Sequence, residues 1–247
     1  ALSSAASDVY KRQNECCAQA AEICGIASSF GDGLDARVFP HGCELSIAHG
    51  GIAIPVINPL SMETIKANLD LANAAHPFAV SLVIDSAGLP HLKKVSPDAG
   101  AKSVEQLREL CEYAEMPVII KGVMTAQGAV KAADAGAAAI VVSNHGGRVL
   151  ASAAATAEVL PEIVEAVGGR VKIIVDGGIR SGTDIFRALA LGADAVMICR
   201  PILISYYGGR TDGIVTYVEK LRAELKDAMY MCGARKISDI NRSMIRI

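Results

Sequence analysis

The chain has 247 residues, 51% of them hydrophobic and 20% charged, with a formal net charge of −2. That length allows one α/β barrel or, as the weaker reading, two small domains, and the balance is that of a well-buried core; with no block of Lys or Arg it excludes attraction to nucleic acid or an anionic membrane surface. The longest apolar runs, such as residues 135–142, fall far short of the roughly 18 to 20 residues that span a bilayer, so the expected partner is a small molecule.

Residues 1–13 show no apolar periodicity, and SSAASDVYKRQ at 3–13 reads as a non-native, adapter-derived segment, or else as a poorly ordered native terminus, to be set apart from a barrel domain over 14–247. The seven cysteines are scattered, with no C-x-x-C pair and no histidine at zinc spacing. They read as reduced thiols of a cytoplasmic protein, with no metal site.

Residues 14–23 read as a helix, and 26–29 and 54–57 as strands. From about residue 79 the pattern alternates between a short apolar run, a polar turn and an amphipathic stretch, which is the signature of βαβ units. The strands expected there are 79–84, ending at Asp85; 117–120, ending at Lys121; 139–142, ending at Ser143, Asn144 and His145; 171–175, ending at Asp176, Gly177 and Gly178; and 195–199, ending at Arg200 and Pro201. Apolar spacing of three and four predicts helices over 104–113, 126–135, 156–167, 182–191 and 213–232, the last long enough to pack across the outside. Seven strands are thus expected, whereas eight parallel strands close a barrel. The fold class is a TIM (β/α)8 barrel lacking strand 1.

In such a barrel the βα loops converge on one open mouth, so reactive groups belong at the C-terminal ends of strands. Those ends carry Asp85, Lys121, His145 with Arg148, Asp176 with Arg180, and Arg200. Two carboxylates, a histidine and several cations suit an anionic substrate plus a phosphate. Gly146 and Gly147 let backbone approach a flat ligand after His145, and Arg148 stands where a guanidinium can grip a carboxylate. Lys121 ends an otherwise apolar strand, so its charge must emerge at the mouth. Asp85 reads either as a helix N-cap or as the charged partner of the histidine. The run Asp176-Gly177-Gly178-Ile179-Arg180, with Gly182 opening a helix, reads as a phosphate cradle of free backbone N–H groups, completed by Arg200.

The motifs IIKGVMT (119–125), IVVSNHGGR (140–148), VDGGIRSGTD (175–184) and ALGADAVMICRP (190–201) together resemble the FMN-dependent α-hydroxy acid oxidase and dehydrogenase family, which includes glycolate and lactate oxidases. The resemblance runs from about residue 14 to 240. It implies an FMN cofactor and oxidation of a small L-2-hydroxy acid to the 2-oxo acid. It also implies His145 as the base, Asp85 as its hydrogen-bond partner and Arg148 as the carboxylate clamp. Lys121 then faces the flavin N1 and C2-carbonyl edge, where a fixed cation raises the reduction potential. Ser143 contacts the flavin and Asp176 the ribityl chain, while Gly177, Gly178, Arg180, Cys199 and Arg200 hold the phosphate. Ser28 and Asn58 are further polar contacts to the cofactor from the first strands. The resemblance also implies a homo-oligomer, a tetramer.

This sequence departs from the family pattern in several places. The first strand and the segment before it, with a substrate-binding tyrosine, have no counterpart, and Asn58 is the polar residue where a tyrosine is expected after strand three of the family's barrel. Cys199 replaces a glycine, Ala151 replaces an aspartate, and the 86–102 crossing is short. Such a tyrosine-poor site is similar to a bacterial branch of the family and leaves the acid and the electron acceptor (oxygen, quinone or protein) open. Two other readings compete: another FMN or phosphate barrel, such as a type 2 isopentenyl diphosphate isomerase, and an inactive barrel fragment with raw sheet edges. The HGGR run argues against the isomerase, which has no use for a carboxylate-gripping arginine beside a base histidine.

Overall fold

The apolar runs of this chain are too short for helices and follow one another at βαβ spacing, and they pair accordingly. In the computed structural model, which describes residues 4–31, 36–88, 92 and 96–246, they form one parallel sheet in sequential order. The elements are α1 (Ser4–Cys24), β1 (Ser28–Gly31), α2 (Val38–Ala48), β2 (Ala53–Ile57), α3 (Met62–Ala75), β3 (Val80–Val83), α4 (Val104–Tyr113), β4 (Val118–Val123), α5 (Ala126–Asp134), β5 (Ala139–Val142), α6 (Thr156–Val167), β6 (Lys172–Val175), α7 (Gly182–Ala190), β7 (Ala195–Val196) and α8 (Arg200–Met231). Seven strands are present, as expected, and no ladder joins β1 to β7 among the described residues. The result is a barrel wall with one strand position open.

Both faces of the sheet are covered, which explains the continuous rather than alternating apolar runs. One face packs Val118 and Ile120, Ile140 and Val142, and Ile173 and Val175 against Leu110, Ala132, Leu160 and Ile163 of the helices. Leu160 and Ile163 are fully buried, each such side chain contributing about 1.5–3 kcal/mol. The other face stacks Ile54, Ala79, Ile119, Ala139 and Val141 inside the barrel, with Ile174 and Met197 beside them. On the outside, α1 meets α8 through Ala20 and Cys24 against Tyr206, Ile214 and Val218, and Ala18 packs with Phe30, Leu45 and Ala53 of β1, α2 and β2.

Several boundaries differ from expectation. Strand β1 lies two residues later than the apolar run suggested, because Ser28 pairs with Ala53 and Gly31 with Val56. Strand β7 is two residues long instead of five: its one neighbour, β6, ends at Val175 opposite Val196, so later residues have run past the ladder. Helix α8 begins at Arg200 rather than 213, since Pro201 suits a first helical turn. The interruption at Gly208-Gly209-Arg210 survives as a kink with non-helical backbone at Gly209 and Arg210. Helices α2 and α3 were not expected. Pro40 falls in the first turn of α2, where its missing N–H costs nothing. In α3 the stripe Ile65, Leu69 and Ala72 is narrow, and the Ser61 cap accepting from the Thr64 N–H at 3.1 Å was the signal available. Helix α1 continues back to Ser4 through most of the segment set apart as adapter-derived; Ser3 lies outside the described residues. Parts of the short 86–102 crossing, at 89–91 and 93–95, also lie outside them.

Candidate active site

Side chains alternate across a strand, so the residue two beyond each member of the interior stack points into the same space one layer higher. Two residues past Ile119, Val141 and Ile174 stand Lys121, Ser143 and Asp176, at the C-terminal end of the sheet. Their polar ends meet there: Lys121 Nζ donates to Ser143 Oγ at 2.7 Å and pairs with Asp176 Oδ2 at 3.0 Å. Lys121 and Asp176 are mostly buried, with side chains 13% and 17% exposed, so the pair is shielded and its loss would strand a charge. Asp176 Oδ1 is buried without a hydrogen-bond partner.

Beside this cluster His145 Nδ1 lies 3.0 Å from Asp85 Oδ1, the two side chains 25% and 11% exposed. A carboxylate only accepts, so Nδ1 carries the proton and Nε2 of the neutral ring keeps its lone pair. The arrangement can take up a proton at Nε2 and stabilise the resulting imidazolium through Asp85. The second Asp85 oxygen, Oδ2, is buried and unpartnered. Asp85 also opens a short 3-10 turn, while its carboxylate makes the histidine contact that was the second of its two sequence readings.

Glycine makes this contact possible from below. The pairing of β4 with β5 shifts register between Lys121 and Val123, a bulge of the kind that re-aims side chains near active sites. Gly122, at φ +104, sits in it, and a Cβ there would stand 2.6 Å from Asp85 Cβ and Cγ. His145 itself has φ +55, a left-handed conformation that costs a residue with a Cβ about 1–2 kcal/mol. Gly146 and Gly147 continue the left-handed run at φ +68 and +75.

Arg148 is exposed at the end of that turn, and its guanidinium forms no ion pair among the described residues. Arg200 crosses from the end of β7 toward the same loop: a Cβ on Gly146 would lie 3.2 Å from its Nη2. Gly177 and Gly178 are both left-handed, at φ +87 and +79, and nothing lies within 4 Å of a Cβ position on Gly178. Arg180 is exposed beside them, its Nη1 donating to Ile179 O at 2.8 Å. Cys199 is exposed just before Arg200.

Two expectations are corrected. The start of α7 does not offer free N–H groups: those of Arg180 and Ser181 donate to Asp184 Oδ2 at 3.1 and 3.0 Å, and that of Gly182 to Glu224 Oε2 at 2.8 Å. Acidic side chains satisfy those donors, which leaves the Gly177–Gly178 turn and the arginines as the open cationic surface. Ser28 opens β1 at the N-terminal end of the sheet, level with Ala53, and is not brought to the mouth. Asn58 does lie past the C-terminal end of β2, its Oδ1 accepting from Ser86 Oγ at 2.9 Å. Sequence reasoning missed Gly122, Asn144 and Thr156; a glycine after a buried lysine and an Asn before His-Gly-Gly were the signals.

A family profile described as FMN-dependent dehydrogenase matches residues 59–247. Over 145 residues the chain is 43% identical to a peroxisomal (S)-2-hydroxyacid oxidase of Arabidopsis thaliana, covering 59% of this chain and 39% of that protein. It is 41% identical over 178 residues to a 4-hydroxymandelate oxidase of Amycolatopsis orientalis, covering 71% and 48%. The chain thus spans from about two fifths to half the length of these curated relatives. Among solved structures it is similar to a lactate oxidase of Pediococcus acidilactici, with a TM-score of 0.80 at 28% identity over 95% of this chain and 72% of that one. A mandelate oxidase matches with a TM-score of 0.78 at 30% identity over 93% and 72%.

Proposed function

The chain belongs to the FMN-dependent dehydrogenase family, and from that premise we propose that it binds FMN and oxidises a small 2-hydroxy acid to the corresponding 2-oxo acid. The observation that carries this reading is the 3.0 Å contact between His145 and Asp85 beside the buried Lys121–Ser143–Asp176 cluster. A proton acceptor and a fixed cation at one mouth are what removal of a proton and an electron pair from an α-carbon requires.

The residues fit the cofactor. Asp176 Oδ1 is a buried acceptor lacking a donor, suited to a ribityl hydroxyl. The open, left-handed backbone at Gly178 gives a phosphate room to approach. Ser143, Asp176, Gly177, Gly178, Arg180 and Arg200 would hold FMN, with Lys121 toward the ring edge where negative charge gathers. When bound, FMN supplies the two-electron acceptor. The chain's own residues do the rest. Arg148 grips the substrate carboxylate and sets its orientation, His145 Nε2 takes up the substrate proton, and Asp85 holds Nδ1 and stabilises the charged ring. Positioned proton transfer contributes about 10²- to 10⁴-fold in rate.

The seven cysteines are all unpaired, in keeping with a reducing compartment, and we read the chain as cytoplasmic. No helix among the described residues is long and apolar enough to cross a membrane.

Absorbance near the flavin bands after purification with FMN tests the cofactor, and a chain that stays colourless ends the reading. In flavin-loaded protein, His145→Ala retains the colour and loses anaerobic bleaching by lactate, glycolate or mandelate by at least about 10²-fold; unchanged bleaching removes His145 as the base. Arg148→Lys chiefly raises the acid concentration for half-maximal bleaching.

A further inference from the structure

The contact between His145 and Asp85 depends on a backbone conformation that His145 does not adopt readily. Among the described residues, His145 is one of three non-glycine residues at positive φ, with His76 and Arg210. His76 closes a helix as its left-handed cap, and Arg210 lies in the kink of α8. His145 stands in neither setting, so another restraint must hold it.

We infer that Asn144 is a positioning residue: it locks the loop after β5 in its left-handed form, aims the His145 ring at Asp85, and ties the loop to the turn after β6. Asn144 Oδ1 accepts from the N–H groups of both Gly146 and Gly147, at 3.1 and 3.3 Å, bridging over His145. Asn144 O accepts a second time from Gly147 N at 3.0 Å. At its other end, Asn144 Nδ2 donates to Ala154 O at 3.1 Å, which pins the side chain to the segment leading into α6. Both polar atoms of this one side chain are therefore committed to backbone that follows the histidine. Such local bonds give a short polar side chain control over turn geometry that an alkyl side chain cannot supply.

The brace reaches the neighbouring strand. A Cβ on Gly177 would lie 3.3 Å from Thr156 Oγ1 and 3.8 Å from Asn144 Oδ1, so Asn144 and Thr156 flank the Asp176-Gly177 turn. Thr156, buried at the start of α6, donates through Oγ1 to Asp176 O at 2.7 Å. From below, Ser143 Oγ accepts from His145 N at 3.1 Å and from Lys121 Nζ at 2.7 Å. The histidine is thus held between a serine already engaged by the lysine and an asparagine packed against the glycine turn. A shift in either loop reaches the proton-accepting nitrogen. The side chain of Asn144 touches neither His145's ring nor Asp85 in this network, and acts through the backbone alone.

The inference rests on the proposed function for its catalytic consequence, while its structural part is read without flavin. In the flavin-free chain, ¹⁵N–¹H spectra of the imidazole report which ring nitrogen bears the proton. The native chain shows the single Nδ1–H tautomer held by Asp85. Asn144→Ala loses that signature, with the two tautomers averaging, and in FMN-loaded protein the anaerobic bleaching rate falls about 10²-fold, with a smaller change in half-saturating acid. Asn144→Asp keeps both acceptor bonds but loses the Nδ2 donor to Ala154 O, so it recovers the tautomer signature and the rate only in part. A native ring spectrum and a rate within twofold in Asn144→Ala overturn the inference. Should that variant fail to fold, Asn144→Ser decides: its shorter side chain still accepts at Oγ but does not span to Ala154 O, so partial loss of the signature supports the brace and full retention overturns it. If His145→Ala bleaches normally while Asn144→Ala still loses the tautomer signature, the base assignment has failed and the positioning role stands.

Discussion

The single atoms that matter most at this mouth are ones a glycine lacks. Gly122 leaves the space in which Asp85 approaches His145, and a methyl group there would sit 2.6 Å from two Asp85 carbons and 2.9 Å from its backbone nitrogen. Backbone at φ +104 adds strain for any L side chain. Gly122→Ala is therefore expected to destabilise the fold by about 1–3 kcal/mol and to slow flavin bleaching about 10²-fold through a displaced Asp85, read from thermal unfolding and anaerobic mixing. Lys121, His145, Asp85, Ser143 and Asp176 were legible in the sequence as polar residues closing apolar runs. Gly122 and Asn144 left only the weak signals of a glycine after a buried lysine and an Asn before His-Gly-Gly, because their contributions are an excluded volume and a backbone restraint that only the folded chain displays.

At the scale of elements, α7 shows how acidic side chains can take over a helix start. Ser181 caps the helix and Asp184 returns the bond, forming a capping box. Burial favours the neutral form of Asp184, but bonds from the Ser181 hydroxyl and from the Arg180 and Ser181 N–H groups outweigh it and hold the carboxyl below its ordinary range. A carboxylate whose folded value is depressed adds stability that is present above its unfolded value and is lost as pH falls through the folded one. Asp184→Ala is thus expected to cost roughly 1–2 kcal/mol at neutral pH. Its deficit relative to the native chain shrinks as pH drops below the ordinary carboxylate value of 3.8, which urea unfolding across a pH series measures. Gly182 lets α7 sit directly on α8, since a Cβ there would meet Leu225 N at 2.2 Å. The capping residues could be read from the sequence; the close approach of the two helices could not, as it joins residues far apart in the chain.

Among the described residues the sheet ends in two strands with a ladder on one side only, β1 and β7. Unpaired N–H and C=O groups along a strand are a template for pairing with another chain. Strand β1 is the longer edge and carries exposed Ser29. Concentration-dependent self-association is expected from this edge, and Ser29→Lys, which sets a charge on it, is expected to shift sedimentation toward the monomer. An unchanged distribution would place any association elsewhere on the surface.

The sequence by itself determined the parallel α/β architecture, the count of seven strands and most residues at their C-terminal ends, because short apolar runs, polar turns and period-three-to-four patterns are local properties of the chain. It also carried the family resemblance that the matched profile bears out. Tertiary structure alone decided three things. Ser28 lies at the far end of its strand because register is set by pairing with Ala53. The α7 N–H groups are unavailable because Glu224 arrives from α8. The lysine, serine and aspartate of three successive strands form one cluster because the β5–β6 ladder sets Ser143 level with Asp176, while Lys121, paired with Val141 one layer below, reaches both through its long side chain. Each follows from contacts between segments distant in sequence, where hydrogen-bond partners and excluded volume are assigned only once the chain has folded.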